Sequence, residues 1–176
     1  MKRPYLLFIL LCCQCSFVAN AQYYDGRVRV DSADRSILFQ VTEAHPQLHS
    51  RHFYTWFKSG HIYTTEGSFY GKLLHGDYKV VDKERHLLEE GRFRMGERKG
   101  LWRTWYENGF LKTRTQKRFW DGALAIKEYS AAGSLTKRGF EKDGRFTGWQ
   151  TEPVKDSILV VHYKKGMRQP TQSSKK

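Results

Sequence analysis

From Phe53 to Tyr163 the chain runs in short stretches rich in Trp, Tyr, Phe, Val and Thr, and glycine-bearing pairs interrupt them every 11 to 13 residues. Such side chains suit a pleated, half-buried surface. Reversals at that spacing predict successive short strands joined by hairpin turns. Asn108-Gly109, Asp121-Gly122 and Asp143-Gly144 are pairs that favour the positive backbone angles of a tight hairpin. Ser59-Gly60, Gly71-Lys72, Gly96-Glu97 and Ala132-Gly133 fall between them and read as further reversals. No long helical period competes with this pattern.

The pattern also repeats. The stretch from Gly91 to Leu111 carries Gly91, Phe93, Gly96, Gly100, Trp102, Trp105, Tyr106, Asn108, Gly109 and Leu111. A shift of 24 residues toward the N-terminus places Gly67, Phe69, Gly76, Tyr78 and Leu87 beneath Gly91, Phe93, Gly100, Trp102 and Leu111. The same shift forward aligns Ile126, Tyr129, Gly133 and Leu135, and a further one aligns Gly139, Gly144 and Gly148. Phe53, Trp56, Phe57, Ser59, Gly60 and Ile62 match at two periods plus one residue. A period held over most of a chain marks stacked supersecondary units. Two strands then make one unit.

The spacing G-x-F-x-x-G-x-x-x-G-x-W-x-x-W-Y-x-N-G-x-L, residues 91 to 111, resembles the MORN (membrane occupation and recognition nexus) repeat, in the variant common in bacterial antitoxin-like proteins. Weaker copies extend the resemblance over roughly residues 53 to 150. It implies an elongated antiparallel meander of hairpins that works by contact with lipid or protein, and it brings no catalytic residues. Glu84-Arg85 and Ala132-Gly133 stand where the pattern has Asn-Gly, which leaves room for looser or longer turns there.

The expected fold is therefore all-β: an elongated, single antiparallel β-meander built from 24-residue hairpin repeats. Residues 22–52 are expected to form an N-terminal β cap, because terminal units of such arrays close an open edge. Within it, residues 23–30 resemble a short hairpin and Ile37 to Val41 a strand. The repeats occupy 53–163, with Ser157 to Tyr163 a last strand candidate, and 164–176 are expected to form a disordered basic tail.

Met1-Lys2-Arg3, an apolar run from Tyr5 to Cys13, and Ala19-Asn20-Ala21 have the layout of a secretory signal peptide, residues 1–21, cleaved before Gln22. The apolar run is shorter than the ~20 residues of a membrane-spanning helix. Cys12, Cys13 and Cys15 all lie in that leader, so the exported product carries no disulfide or cysteine-bound metal. A lipidated cysteine is the rival reading, against which stand the bulky Leu11 and Gln14. The expected location is periplasmic or extracellular.

With Lys2 and Arg3 removed, 29 basic residues face 18 acidic ones. A field of that sign favours acidic partners, and lysine and arginine also keep sheet edges unpaired. The candidate contact strip is aromatic at Trp102, Trp105, Tyr106 and Phe110, and basic at Arg92, Arg94, Arg103, Lys112 and Arg114. Arg92 and Arg94 flank Phe93, so they share the face opposite to it. The partner classes are a protein or an anionic envelope component, lipid or polysaccharide, with self-association through sheet edges a further route. Basic residues among aromatics also suit single strands of nucleic acid, but no nucleic-acid motif accompanies them.

No set of nucleophile, base and orienting group is recognisable, and no cofactor or metal is called for. His45, His49 and His52 have helical spacing for a metal, but Pro46 discourages a helix there. Asp121 and Asp143 are needed, with Gly122 and Gly144, by their turns. Two other functions stay open: an antitoxin-like role, carried only by the resemblance, and a glycan-acting enzyme, which needs two acidic side chains across a cleft.

Overall fold

The computed structural model describes residues 26–154 and 157–170. They form 13 antiparallel strands in an open meander, without helix. In chain order these are β1 (Gly26–Asp31), β2 (Arg35–Thr42), β3 (Phe53–Lys58), β4 (His61–Glu66), β5 (Lys72–Asp82), β6 (Leu87–Arg94), β7 (Glu97–Trp105), β8 (Leu111–Lys117), β9 (Leu124–Tyr129), β10 (Leu135–Lys142), β11 (Arg145–Val154), β12 (Ser157–Lys164) and β13 (Met167–Arg168). The expected leader and residues 171–176 of the tail lie outside the described residues. Met167 and Arg168, expected in that tail, instead pair with Lys164 and Tyr163.

One end of the sheet shows the period directly. Arg85, Gly109 and Gly133 each donate a backbone hydrogen bond to a carbonyl three residues back, that of Asp82, Tyr106 and Ser130, at 3.2, 2.9 and 2.9 Å. Asp82, Tyr106 and Ser130 in turn donate to the carbonyls of His86, Phe110 and Ser134. The turns at Glu84-Arg85 and Ala132-Gly133 are thus no longer than the Asn108-Gly109 turn, because Arg85 takes the left-handed backbone, φ 70°, that glycine takes in the other two. At the opposite end the reversals at Ser59-Gly60, Met95-Gly96, Asp143-Gly144 and Lys165-Gly166 have positive φ at both residues, the geometry that matches strand twist. Gly122 also has positive φ, in a longer turn where the Asp121 carboxylate accepts from the Ala123 amide. Gly71 does not reverse the chain. It enters β5 against the Phe57 carbonyl and the Trp56 ring, where no side chain fits, and Gly67 carries the positive φ of that loop.

Neighbouring loops are tied laterally. The Tyr106 hydroxyl donates to the Tyr129 carbonyl at 2.9 Å, the Asn108 amide donates to the Ala131 carbonyl at 2.9 Å, and the Phe110 ring lies over Gly133. Repeat-to-repeat contact, which stabilises such arrays, therefore occupies these polar and aromatic positions.

At its N-terminal side the meander departs from strict sequence order. β2 pairs with β5, and the β3–β4 hairpin lies off the path, joined to β5 only at Trp56–Leu73 and Phe57–Lys72. The remaining length of that β5 edge is taken by β6. Gly96 holds the junction: its amide donates to the Leu74 carbonyl and its carbonyl accepts from the Thr55 amide, both at 2.7 Å. A side chain there would press on Leu73 and the Thr55 backbone, and φ is 78°. Of the hairpin expected at 23–30, residues 23–25 lie outside the described residues; Gly26 to Val30 belong to the single strand β1, in which Arg27, Val28, Arg29 and Val30 alternate cleanly, and the next turn falls at Ser32, whose hydroxyl donates to the Arg35 carbonyl.

The hairpin covers one face of the sheet, here the inner face. Phe39, Val41, Leu74, Phe93 and Trp102 form a buried cluster, with Phe57 and Ile62 from the hairpin packed against it. Tyr54, Trp56 and Leu73 form a second one. A lone meander would leave its aromatic face open; this one carries a partial second layer, because β3 and β4 supply apolar residues of the right period.

Candidate functional site

In an antiparallel sheet, residues directly opposite each other share a face. The register therefore assigns the strip residues that stand in regular strand pairs. Phe93, Gly91, Trp102 and Thr104 belong to the inner face, whereas Arg92, Arg94, Arg103 and Arg114 belong to the outer one. Trp102 is thus on the side opposite Arg92, Arg94, Arg103 and Arg114. Trp102 is 5% exposed and Trp105 and Tyr106 half-buried, so of the four aromatics only Phe110 stands well out. Lys112 lies over the Tyr106 ring.

The cations also divide by partnership. Arg92 is held by Asp77 at 2.9 Å and Arg103 by Glu90 at 3.3 Å. Arg114 pairs across the sheet with Arg103 on one side and Lys127 on the other, and Lys127 pairs with Arg138. Alternate turns of the meander bring these residues, distant in sequence, into one row across β7 to β10, at the ~4.8 Å spacing of strands. Among the described residues Arg114, Lys127 and Arg138 have no ion pair and no side-chain hydrogen bond. With Gln116 and Ala125 they line a trough of about 270 Å³. Trp149 and His162 continue the row. Like charges placed directly opposite destabilise a strand pair, so this row costs the sheet stability that an acidic partner would return.

Beside the row, the turn between β8 and β9 presents Phe119 fully exposed and Trp120 78% exposed. The Arg118 guanidinium, paired with Asp121, reaches over the rings of Trp120 and Phe140. Sequence reasoning passed over Lys127, Arg138, Phe119 and Trp120. The signal was present: reflecting each strand about its turn superposes Arg103, Arg114, Lys127 and Arg138.

The three histidines noted in the sequence form no metal-ligand group among the described residues. His52 bonds Glu97 at 2.9 Å, His49 lies against the His52 ring, and His45 stacks on Phe69. Among the described residues one group, Asp82, Glu84 and His86, has metal-ligand atoms close together. It serves its turn, where the Asp82 carboxylate accepts from the His86 amide at 2.7 Å and meets its ring at 2.9 Å.

On the inner face, burial, reinforced by the charge of Glu89, pushes the Tyr78 phenol from 10.0 up to about 12. The folded value lies above the unfolded one, so this contribution to stability is whole below pH 10 and is lost as pH rises to about 12. Urea unfolding across that window is expected to show a decline that is smaller in Tyr78→Phe.

Comparison with protein-family models, with curated proteins and with solved structures gave no match for this chain. Among the described residues no helix is long and apolar enough to cross a membrane.

Proposed function

We propose that the chain is an exported, non-enzymatic binding protein of MORN-like repeats that holds an acidic partner, an anionic envelope component or an acidic protein face, on the outer face of its sheet. The row Arg114, Lys127, Arg138 carries this reading: three cations in cross-strand register, without acidic partners among the described residues, on a trough. The loop hydrogen bonds that recur every 24 residues support the repeat assignment. Phe119 and Trp120 add apolar contact beside the row, and exposed apolar groups rimmed by polar ones mark contact sites.

The test presents the protein lacking residues 1–21 with vesicles of anionic and of zwitterionic lipid, with acidic and neutral polysaccharide, and with envelope extract, each at low and high salt. Retention by an anionic surface or an acidic envelope protein, released by salt, is the expected result. Equal retention by the neutral surfaces, or retention by none, overturns the proposal.

A further inference from the structure

A cleft of about 540 Å³ opens on the inner face between the β3–β4 hairpin and the sheet. Phe53, Thr55, Ile62 and Thr64 line it from the hairpin, and Tyr78, Phe93 and Trp102 from the sheet. Its size lies within the ~300–1,000 Å³ usual for small-molecule sites, and like them it joins aromatic walls to a few polar groups.

The chemistry of those polar groups has one sign. Both carboxylates of the cleft are engaged, Glu89 by Arg98 and Glu97 by His52 and Lys99. The Thr55 and Thr64 hydroxyls bond each other at 3.1 Å. What remains uncommitted among the described residues is donors: the Lys117 ammonium, the Arg51 guanidinium, the Tyr78 hydroxyl and the Trp102 indole N–H. The indole N–H is buried and has no hydrogen-bond partner. Its ring is clamped between the Gly91 backbone and the Arg98 guanidinium, 3.6 Å from the ring centre, so it cannot turn to find water. A buried donor without a partner destabilises the fold and calls for a reason.

We propose that this cleft is a binding site for a small anionic ring compound, an aromatic or alicyclic carboxylate. Its ring lies among Phe53, Ile62, Phe93 and Trp102, its carboxylate is met by Lys117 and Arg51, and side-chain movement on binding opens the indole N–H, closed to water as it stands, to the acceptor it lacks. The cleft lies on the face opposite the cationic row, so the inference stands apart from the proposed function.

The probes are naphthoate and the neutral naphthamide, titrated into ¹⁵N-labelled protein while the indole N–H resonance of Trp102 is followed. That resonance is identified by its loss in Trp102→Phe. Saturable movement of it with naphthoate is expected, with much weaker response to naphthamide. Arg51 and Lys117 are exposed, so Arg51→Gln/Lys117→Gln leaves thermal unfolding unchanged and weakens naphthoate binding roughly fivefold to tenfold. A Trp102 resonance that stays in place, equal affinity for the amide, or a double variant that binds like the parent overturns the proposal.

Discussion

Replacing Gly91 by alanine is expected to destabilise the protein by ~1–3 kcal/mol, the usual cost of forcing extra carbon into a packed core. A β-carbon at Gly91 would overlap the Trp102 indole. The ring has no free direction, since Arg98 covers its other face and Phe93 meets it edge-on with ring centres 5.0 Å apart. Tyr78 borders it as well, 5.6 Å away. Thermal unfolding checks this: in a chain of this size each kcal/mol lowers Tm by roughly 2–4 °C. Trp102→Leu on the Gly91→Ala background should recover part of the loss, because residues in contact do not add independently. An unchanged Tm in Gly91→Ala would mean that the close approach of ring and glycine is not what packs this repeat.

The same pair shows how far the sequence could be read. Glycine recurs with the 24-residue period, Tyr78, Trp102 and Ile126 share one place in it, and the alternation around them predicts strands, so the all-β meander and most reversals were legible. The cross-strand role of Gly91 was not, since it depends on which residue of β7 stands beside it. Arg85 was illegible for a different reason: its sequence lacks the Asn-Gly signature, yet the closing hydrogen bond from Asp82 to His86 at 3.0 Å is kept by an arginine in the left-handed region. The placement of β3 and β4 was hidden because strand-forming character does not say which edge a strand takes. β2 occupies the place beside β5 that chain order would have given to β4, and the displaced hairpin becomes the roof of the inner face. Under that roof Trp102 is covered, while on the other face Arg92 and Arg103 pair with Asp77 and Glu90, and Arg114, Lys127 and Arg138 stand in cross-strand register without an ion pair.

Neutralising those three residues together, Arg114→Gln, Lys127→Gln and Arg138→Gln, is expected to raise Tm by ~2–4 °C while lowering affinity for the anionic partner about tenfold or more. The rise follows from removing like charges that stand opposite each other on neighbouring strands. The loss follows from three contacts, Arg114 and Arg138 exposed and Lys127 half-buried, each contributing up to ~1 kcal/mol. Opposite signs in the two measurements distinguish a binding row from cations that merely keep the sheet soluble, for which the variant would gain stability and bind as before. Arg92→Gln/Arg103→Gln supplies the comparison on the same face, because Asp77 and Glu90 already satisfy those side chains. That variant should keep most of the affinity and lose, not gain, thermal stability. The salt dependence of binding should flatten in the triple variant and stay steep in the double one, since screening acts on the charges that meet the partner. If the double variant loses affinity as deeply as the triple, the whole outer face acts as a diffuse field and the row has no special part in it.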